Sequence, residues 1–264
     1  MEFWGVFILA GLLAGFMAGL LGIGGGFVVV PVLIFALPNV GLSSEVTPHV
    51  AIGTSLLSIC VTAMASTRAH HQRRAVDWEL FRFIAPGLII GALAGASLAA
   101  IVSGFWLTVT FVSGAMLTAL YLISGHRPKP SVQNGRWPVF VYGQFTGLVS
   151  ALIGIGGGSV LVPFLVYCGK SMVQSVATAA ACGFPIALFG ALGYALSGIK
   201  KEIEIDYATG YLYWPAFFGI VVFSTFSAPL GAKLAHFIPE KRLRQVFALF
   251  LFFTSAQILY SQWL

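Results

Sequence analysis

The chain has 264 residues, of which 58% are hydrophobic and 8% charged, with a mean hydropathy of +0.94. Soluble domains carry roughly 25% charged residues, so this composition excludes a water-exposed surface. The net charge of +6 does not point to nucleic acid, because the basic residues sit in short clusters between apolar runs, where they act as orientation signals.

Charge-free stretches define the predicted segments. No charge stands between Glu2 and Glu45, or between Glu45 and Arg68. Further runs go from Arg82 to Arg127, Arg136 to Lys170, Lys170 to Lys200, Asp206 to Lys233, and onward from Arg244. A full helical span needs about 20 apolar residues, which gives an all-α membrane protein with no soluble domain left over. The start, Met1-Glu2-Phe3-Trp4, lacks a basic n-region and a small-residue cleavage site, so it reads as a retained first helix. The run from Arg82 to Arg127 fits two helices, split at Ser103-Gly104. Cys60, Cys168 and Cys182 lie in apolar segments without metal spacing and read as buried structural thiols.

Two runs are too long for one span and hard to fit as two. LLGIGGGFVVVPVL, 20–33, matches LIGIGGGSVLVPFL, 152–165, at ten of fourteen positions. Weaker parallels follow: Val76-Asp77-Trp78 with Ile205-Asp206-Tyr207, and Gly95-Ala96 with Gly231-Ala232. The chain thus reads as a duplication, with a first membrane repeat over 1–125, a cytoplasmic linker over 126–136 and a second repeat over 137–264. Internal repeats of this kind are common in secondary transporters.

Glycine costs about 1 kcal/mol relative to alanine inside a helix. Gly22-Ile23-Gly24-Gly25-Gly26 followed by Pro31 therefore predicts a helix break, and 27–37 is too short to span comfortably. The stretch 3–37 reads as a hairpin that enters and returns to one side. Eight single crossings would leave nine Lys and Arg inside and five outside; two hairpins with an outside N-terminus leave twelve inside, with only Lys200 and Lys201 outside. The hairpins win. They imply two inverted-topology repeats, each a glycine-broken hairpin plus three transmembrane helices.

At membrane depth a helix break persists only where it lines a cavity or is buried in protein. Helix pieces starting near Gly25-Gly26 and Gly157-Gly158 would each present free N–H groups and a positive dipole end. Two such ends meeting near the midplane would hold an anion without a buried Lys or Arg. The predicted substrate-binding residues are Gly24, Gly25, Gly26, Gly156, Gly157, Gly158 and Ser159, with Thr54, Ser55, Thr178 and Gln144 from neighbouring segments. Thr146 also precedes the second break. Each Ser or Thr has a plainer alternative, a bond to its own i−4 carbonyl. Gly11, Gly15 and Gly19, and Gly91 with Gly95, read as tight helix crossings. A dinucleotide loop is excluded, because Phe27 stands where GxGxxG needs its third glycine. His49, beside Glu45 and Pro48, reads as an interfacial histidine, with proton response as the sharper alternative. Asp77 and Asp206 read as equivalent N-caps just before helices.

The doubled GIGGG breaks, the apolar layout and the VDW and IDY loops resemble the sulfite exporter TauE/SafE family over essentially the whole chain. The resemblance implies transport of sulfur-containing oxyanions or organosulfonates across a prokaryotic inner membrane. It matches Gly22, Gly24, Gly25, Gly26 and Pro31 in one half and Gly154, Gly156, Gly157, Gly158 and Pro163 in the other. Ala51-Ile-Gly-Thr-Ser55 faces Ala177-Thr-Ala-Ala-Ala181 in this alignment, so the second half offers fewer hydroxyls. The expected partners are a small anion and membrane lipid, with no nucleic acid, no cofactor and no metal; proton coupling and a homo-oligomer are open alternatives. A passive anion channel would use the same site. A membrane-embedded enzyme is disfavoured, because the apolar segments hold no HExxH, GxSG or clustered carboxylates.

Overall fold

The computed structural model describes residues 4–21, 24–124, 136–203, 205–234 and 240–263. Among these are ten α-helices: α1 Trp4–Leu21, α2 Gly26–Ala36, α3 Thr47–Gln72, α4 Trp78–Ala99, α5 Gly104–Ser124, α6 Arg136–Ile153, α7 Gly158–Tyr167, α8 Met172–Lys200, α9 Trp214–Leu234 and α10 Glu240–Trp263. A 3-10 turn, Leu37–Val40, follows α2, and a two-stranded antiparallel hairpin, β1 Ala208–Thr209 with β2 Leu212–Tyr213, precedes α9. Apolar chains favour helices because each backbone bond is then satisfied within its own segment. The protein is an all-α, multi-pass membrane protein. The expected split between α4 and α5 falls at Ser103-Gly104, and the expected linker lies outside the described residues except for Arg136, which opens α6.

Length separates the helices by role. At 1.5 Å per residue, α3 and α8 are about 39 and 43 Å long, more than a hydrocarbon core of about 30 Å, while α2 and α7 are about 16 and 15 Å, half of it. Some 72% of the apolar window of α3 and α8 is buried, against 33–39% for α4, α5 and α9, so α3 and α8 form the centre. The outer helices turn large apolar side chains outward, among them Leu9, Leu117, Phe226 and Phe253. Such a surface suits acyl chains.

Glycines set the helix directions by letting backbones touch. Gly53 lies against Tyr194, Gly190 against Leu56 and Gly183 against Ala63, so α3 and α8 run antiparallel. Gly11 abuts the Ile220 carbonyl, Gly15 the Ser224 carbonyl and Gly231 the Phe16 carbonyl, so α1 and α9 run parallel. In the same way Gly143 and Gly147 of α6 abut the carbonyls of Ile84 and Leu88, and Gly91 and Gly95 of α4 abut those of Gln144 and Leu148. The crossings expected at Gly11, Gly15, Gly91 and Gly95 are therefore present.

These directions fix two ends. Arg68, Arg73 and Arg74 stand at the far end of α3, where Lys170, in the α7–α8 turn, pairs with Asp77 at 2.6 Å. Lys200 and Lys201 stand at the opposite end, beyond the C-terminus of α8. The α1–α2 hairpin starts and finishes at the end where α3 begins, and the α6–α7 hairpin starts and finishes at the basic end.

One sequence expectation fails. Asp77 is an N-cap, its carboxylate accepting the Leu80 N–H at 3.0 Å. Asp206 caps no helix: it lies in a turn before the β-hairpin, and α9 starts eight residues later at Trp214. The residues that open α4 and α9 are Asp77-Trp78 and Tyr213-Trp214. The inserted β-hairpin displaced the match.

Candidate functional site

Both glycine motifs interrupt the helix. α1 ends at Leu21 and α2 starts at Gly26; α6 ends at Ile153 and α7 starts at Gly158. Gly22 and Ile23 lie outside the described residues. The cap residues have nearly the same left-handed geometry, φ 75 and ψ −6 at Gly25, φ 75 and ψ −11 at Gly157. A side chain disfavours this region, so glycine is required. The Gly25 carbonyl accepts the N–H groups of Val28 and Val29, and the Gly157 carbonyl those of Val160 and Leu161.

The two breaks touch each other. A Cβ on Gly24 would come 3.3 Å from Gly156 Cα, and one on Gly26 would land on the Gly154 carbonyl and 3.0 Å from Ile155 Cα. Ser55 Oγ, fully buried on α3, donates to the same Gly154 carbonyl at 2.9 Å. Beside this contact lies a small cleft lined by Gly24, Gly156, Ile59, Thr62, Ser66 and Gly183, among others. It extends along α3 toward the basic end. On the other side of the breaks Ile52, Leu56 and Tyr194 are each 0–1% exposed.

The expected site residues divide accordingly. Gly24, Gly26, Gly156 and Ser55 meet at the contact; Gly25, Gly157, Gly158 and Ser159 form the adjoining helix starts. Thr54 and Thr178 are placed elsewhere. Thr54 Oγ1 accepts the Tyr213 N–H, and Thr178 Oγ1 the Asp77 N–H, both at 3.0 Å. The two threonines do one job, fastening the start of α9 and of α4. Gln144 sits where α6 crosses α4, its carbonyl against Gly91, and does not line the cleft.

Thr62 and Ser66 were missed by sequence reasoning. Ser55, Ile59, Thr62 and Ser66 follow steps of four, three and four, one face of a helix, and that spacing was the available signal. His49, in the first turn of α3, is buried against protein: it is 4% exposed, its Nδ1 faces the Glu45 carbonyl at 3.3 Å, and its Nε2 faces those of Ala99 and Val102 at 3.1 Å. It ties α3 to the α4–α5 corner and stacks on Tyr211. Cys60, Cys168 and Cys182 are buried free thiols. At the basic end, burial alone would raise the Asp77 carboxyl, but the Leu80 N–H and the Lys170 ammonium outweigh it and hold the group below its ordinary range.

Neither glycine motif carries a Lys, Arg, Asp or Glu, so the positive potential at the helix starts comes from peptide groups and helix dipoles. Such an arrangement can bind an anion weakly enough to release it. The sequence matches the family described as "Sulfite exporter TauE/SafE" over residues 7–258. This chain belongs to that family. One relative, a probable membrane transporter protein of Haemophilus influenzae, is 34% identical over 257 residues, covering 92% of this chain and 93% of its own. The probable membrane transporter protein YunE of Bacillus subtilis is 28% identical over 280 residues, covering 97% of both chains. A probable membrane transporter protein of Xylella fastidiosa is 27% identical over 267 residues, covering 98% of this chain and 95% of its own. No solved structure matches this TauE/SafE chain.

Proposed function

We propose that this TauE/SafE protein is a secondary transporter that moves a small sulfur-containing anion, sulfite or an organosulfonate, across a prokaryotic inner membrane by alternating access. One observation carries the reading: two helix starts, each bent open by glycine, press against each other beside a small cleft. A transporter needs its site reachable from one side at a time, and irregular backbone at depth suits a ligand of opposite sign to the helix start. The cleft toward the basic end and the close packing of Ile52, Leu56 and Tyr194 beyond it fit one such state.

In this reading the halves 1–125 and 137–264 are related by an approximate twofold axis in the membrane plane. The exchanged contacts support it: α1 packs on α9 and α6 on α4, both parallel, while the central pair α3 and α8 is antiparallel. Exchange of access amounts to the two hairpins rocking about the Gly24–Gly156 contact. Uptake into proteoliposomes tests the proposal, with labelled sulfite, thiosulfate, taurine, sulfoacetate and a carboxylate as a panel. Saturable uptake of one or more sulfur anions, stimulated by the same anion inside, is expected. A non-saturating flux of any anion would indicate a channel, and no uptake would overturn the reading.

A further inference from the structure

Helical hydroxyls in this protein are as a rule bonded to their own backbone. Ser58 donates to the Thr54 carbonyl, Thr108 to Gly104, Thr118 to Gly114 and Thr225 to Val221, each four residues back. Among the described residues seven depart from this, Ser66, Thr67, Ser175 and Ser255 singly or in other places, and Thr146, Ser150 and Ser159 around one helix start. The hydroxyls of these last three are buried and have no partner, and Thr146 and Ser150 are themselves 0% exposed. An unsatisfied buried hydroxyl is unfavourable, so three around one helix start require a reason.

They share a location. The position of a Cβ on Gly157 is 3.4 Å from Ser150 Oγ and 3.5 Å from Thr146 Cγ2, and Ser159 is the second residue of the helix that Gly157 caps. The first-turn N–H groups of Gly158 and Ser159 have no partner among the described residues either. The first break, 132 positions earlier, has Ala14, Ala18 and Phe27 at the corresponding places. There the nearest atoms to a Cβ on Gly25 are the backbone and Cβ of Ala14.

We propose that the second break alone is the oxyanion subsite, built from the Gly158 and Ser159 amides with the hydroxyls of Thr146, Ser150 and Ser159. The first break, walled by alanine and phenylalanine, packs against it and takes the uncharged part of the ligand. The ligand class is a compact oxyanion head, as in sulfite or a sulfonate, whose several oxygens accept from several donors at once. Ile186 of α8 covers Gly157, its Cδ1 2.5 Å from that Cβ position, so seating the head requires this side chain to turn away. The inference rests on the transporter reading above.

The test uses purified full-length protein with sodium sulfite as probe, comparing wild type with Thr146→Val, Ser150→Ala and the double variant. Because no bond is lost in the empty protein, its melting temperature should stay level or rise. The sulfite Kd should rise about tenfold per hydroxyl removed, and the double variant should lose the sulfite-induced melting shift. Ser159→Ala gives the same reading should the double variant fail to fold. A wild type that binds sulfite with the same Kd as the variants overturns this inference and leaves the transporter reading standing. Lowered melting temperatures with unchanged Kd would show structural hydroxyls and overturn it too. A wild type that binds none of sulfite, thiosulfate, taurine or sulfoacetate overturns both.

Discussion

The two glycine breaks have one backbone and two environments. Gly25 and Gly157 differ by 5° in ψ and not at all in φ, and each carbonyl holds the N–H groups three and four residues on. Around the first stand Ala14 and Ala18; around the second, Thr146 and Ser150. The glycines dictate the shared shape, while the side chains against it differ. The bend in the helix is therefore common to both motifs, and polarity at the bend belongs to the second.

Four predictions break or sharpen that comparison. The largest effect is expected at the contact itself. Gly26→Val puts a side chain onto the Gly154 carbonyl and must separate the breaks. Overpacking of this kind costs about 1–3 kcal/mol or more, and sulfite uptake should vanish while membrane insertion, read by surface labelling, persists. Normal uptake would mean that the breaks need not touch.

The paired threonines come next. Thr54→Val leaves the buried Tyr213 N–H without an acceptor, at about 1–3 kcal/mol. Thr178→Val should cost less, because the Asp77 N–H it serves is only partly buried. Thermal melting of both variants measures the difference, and equal losses would contradict the asymmetry. Ser55→Ala removes the one side-chain donor described at the Gly154 carbonyl, for about 1 kcal/mol. It should slow uptake more than it lowers the melting temperature.

The smallest effect concerns pH. The Asp77 carboxyl is lowered in the folded protein, so its pair with Lys170 stabilises above the ordinary carboxylate range and is lost as pH falls through the lowered value. Wild type should lose melting temperature over that acidic window more steeply than Asp77→Asn. Parallel curves would remove the pair from the account.

Much of this was legible in the chain. GIGGG followed by proline marks a break whatever surrounds it, because glycine penalises helix and favours positive φ. Charge-free runs gave the helices, and basic clusters gave their ends. Two things were not legible. The β-hairpin at 208–213 shifts the start of α9, so a motif match at Asp206 pointed to a cap where none exists. The roles of Thr54 and Ser55 depend on partners 159 and 99 residues away, and helical periodicity says nothing about which distant backbone group a hydroxyl meets. The partners of His49 were hidden for the same reason, since two of the carbonyls that face it come from the α4–α5 corner.

The most direct measurement is an experimental map of the protein soaked with selenite, a heavier analogue of sulfite, recorded at the selenium edge. An anomalous peak within about 4 Å of the Gly158 and Ser159 amide nitrogens, allowing for the hydrogen-bond length plus one bond, is the predicted result. A peak far from both glycine breaks, or continuous helix through either of them, would contradict it.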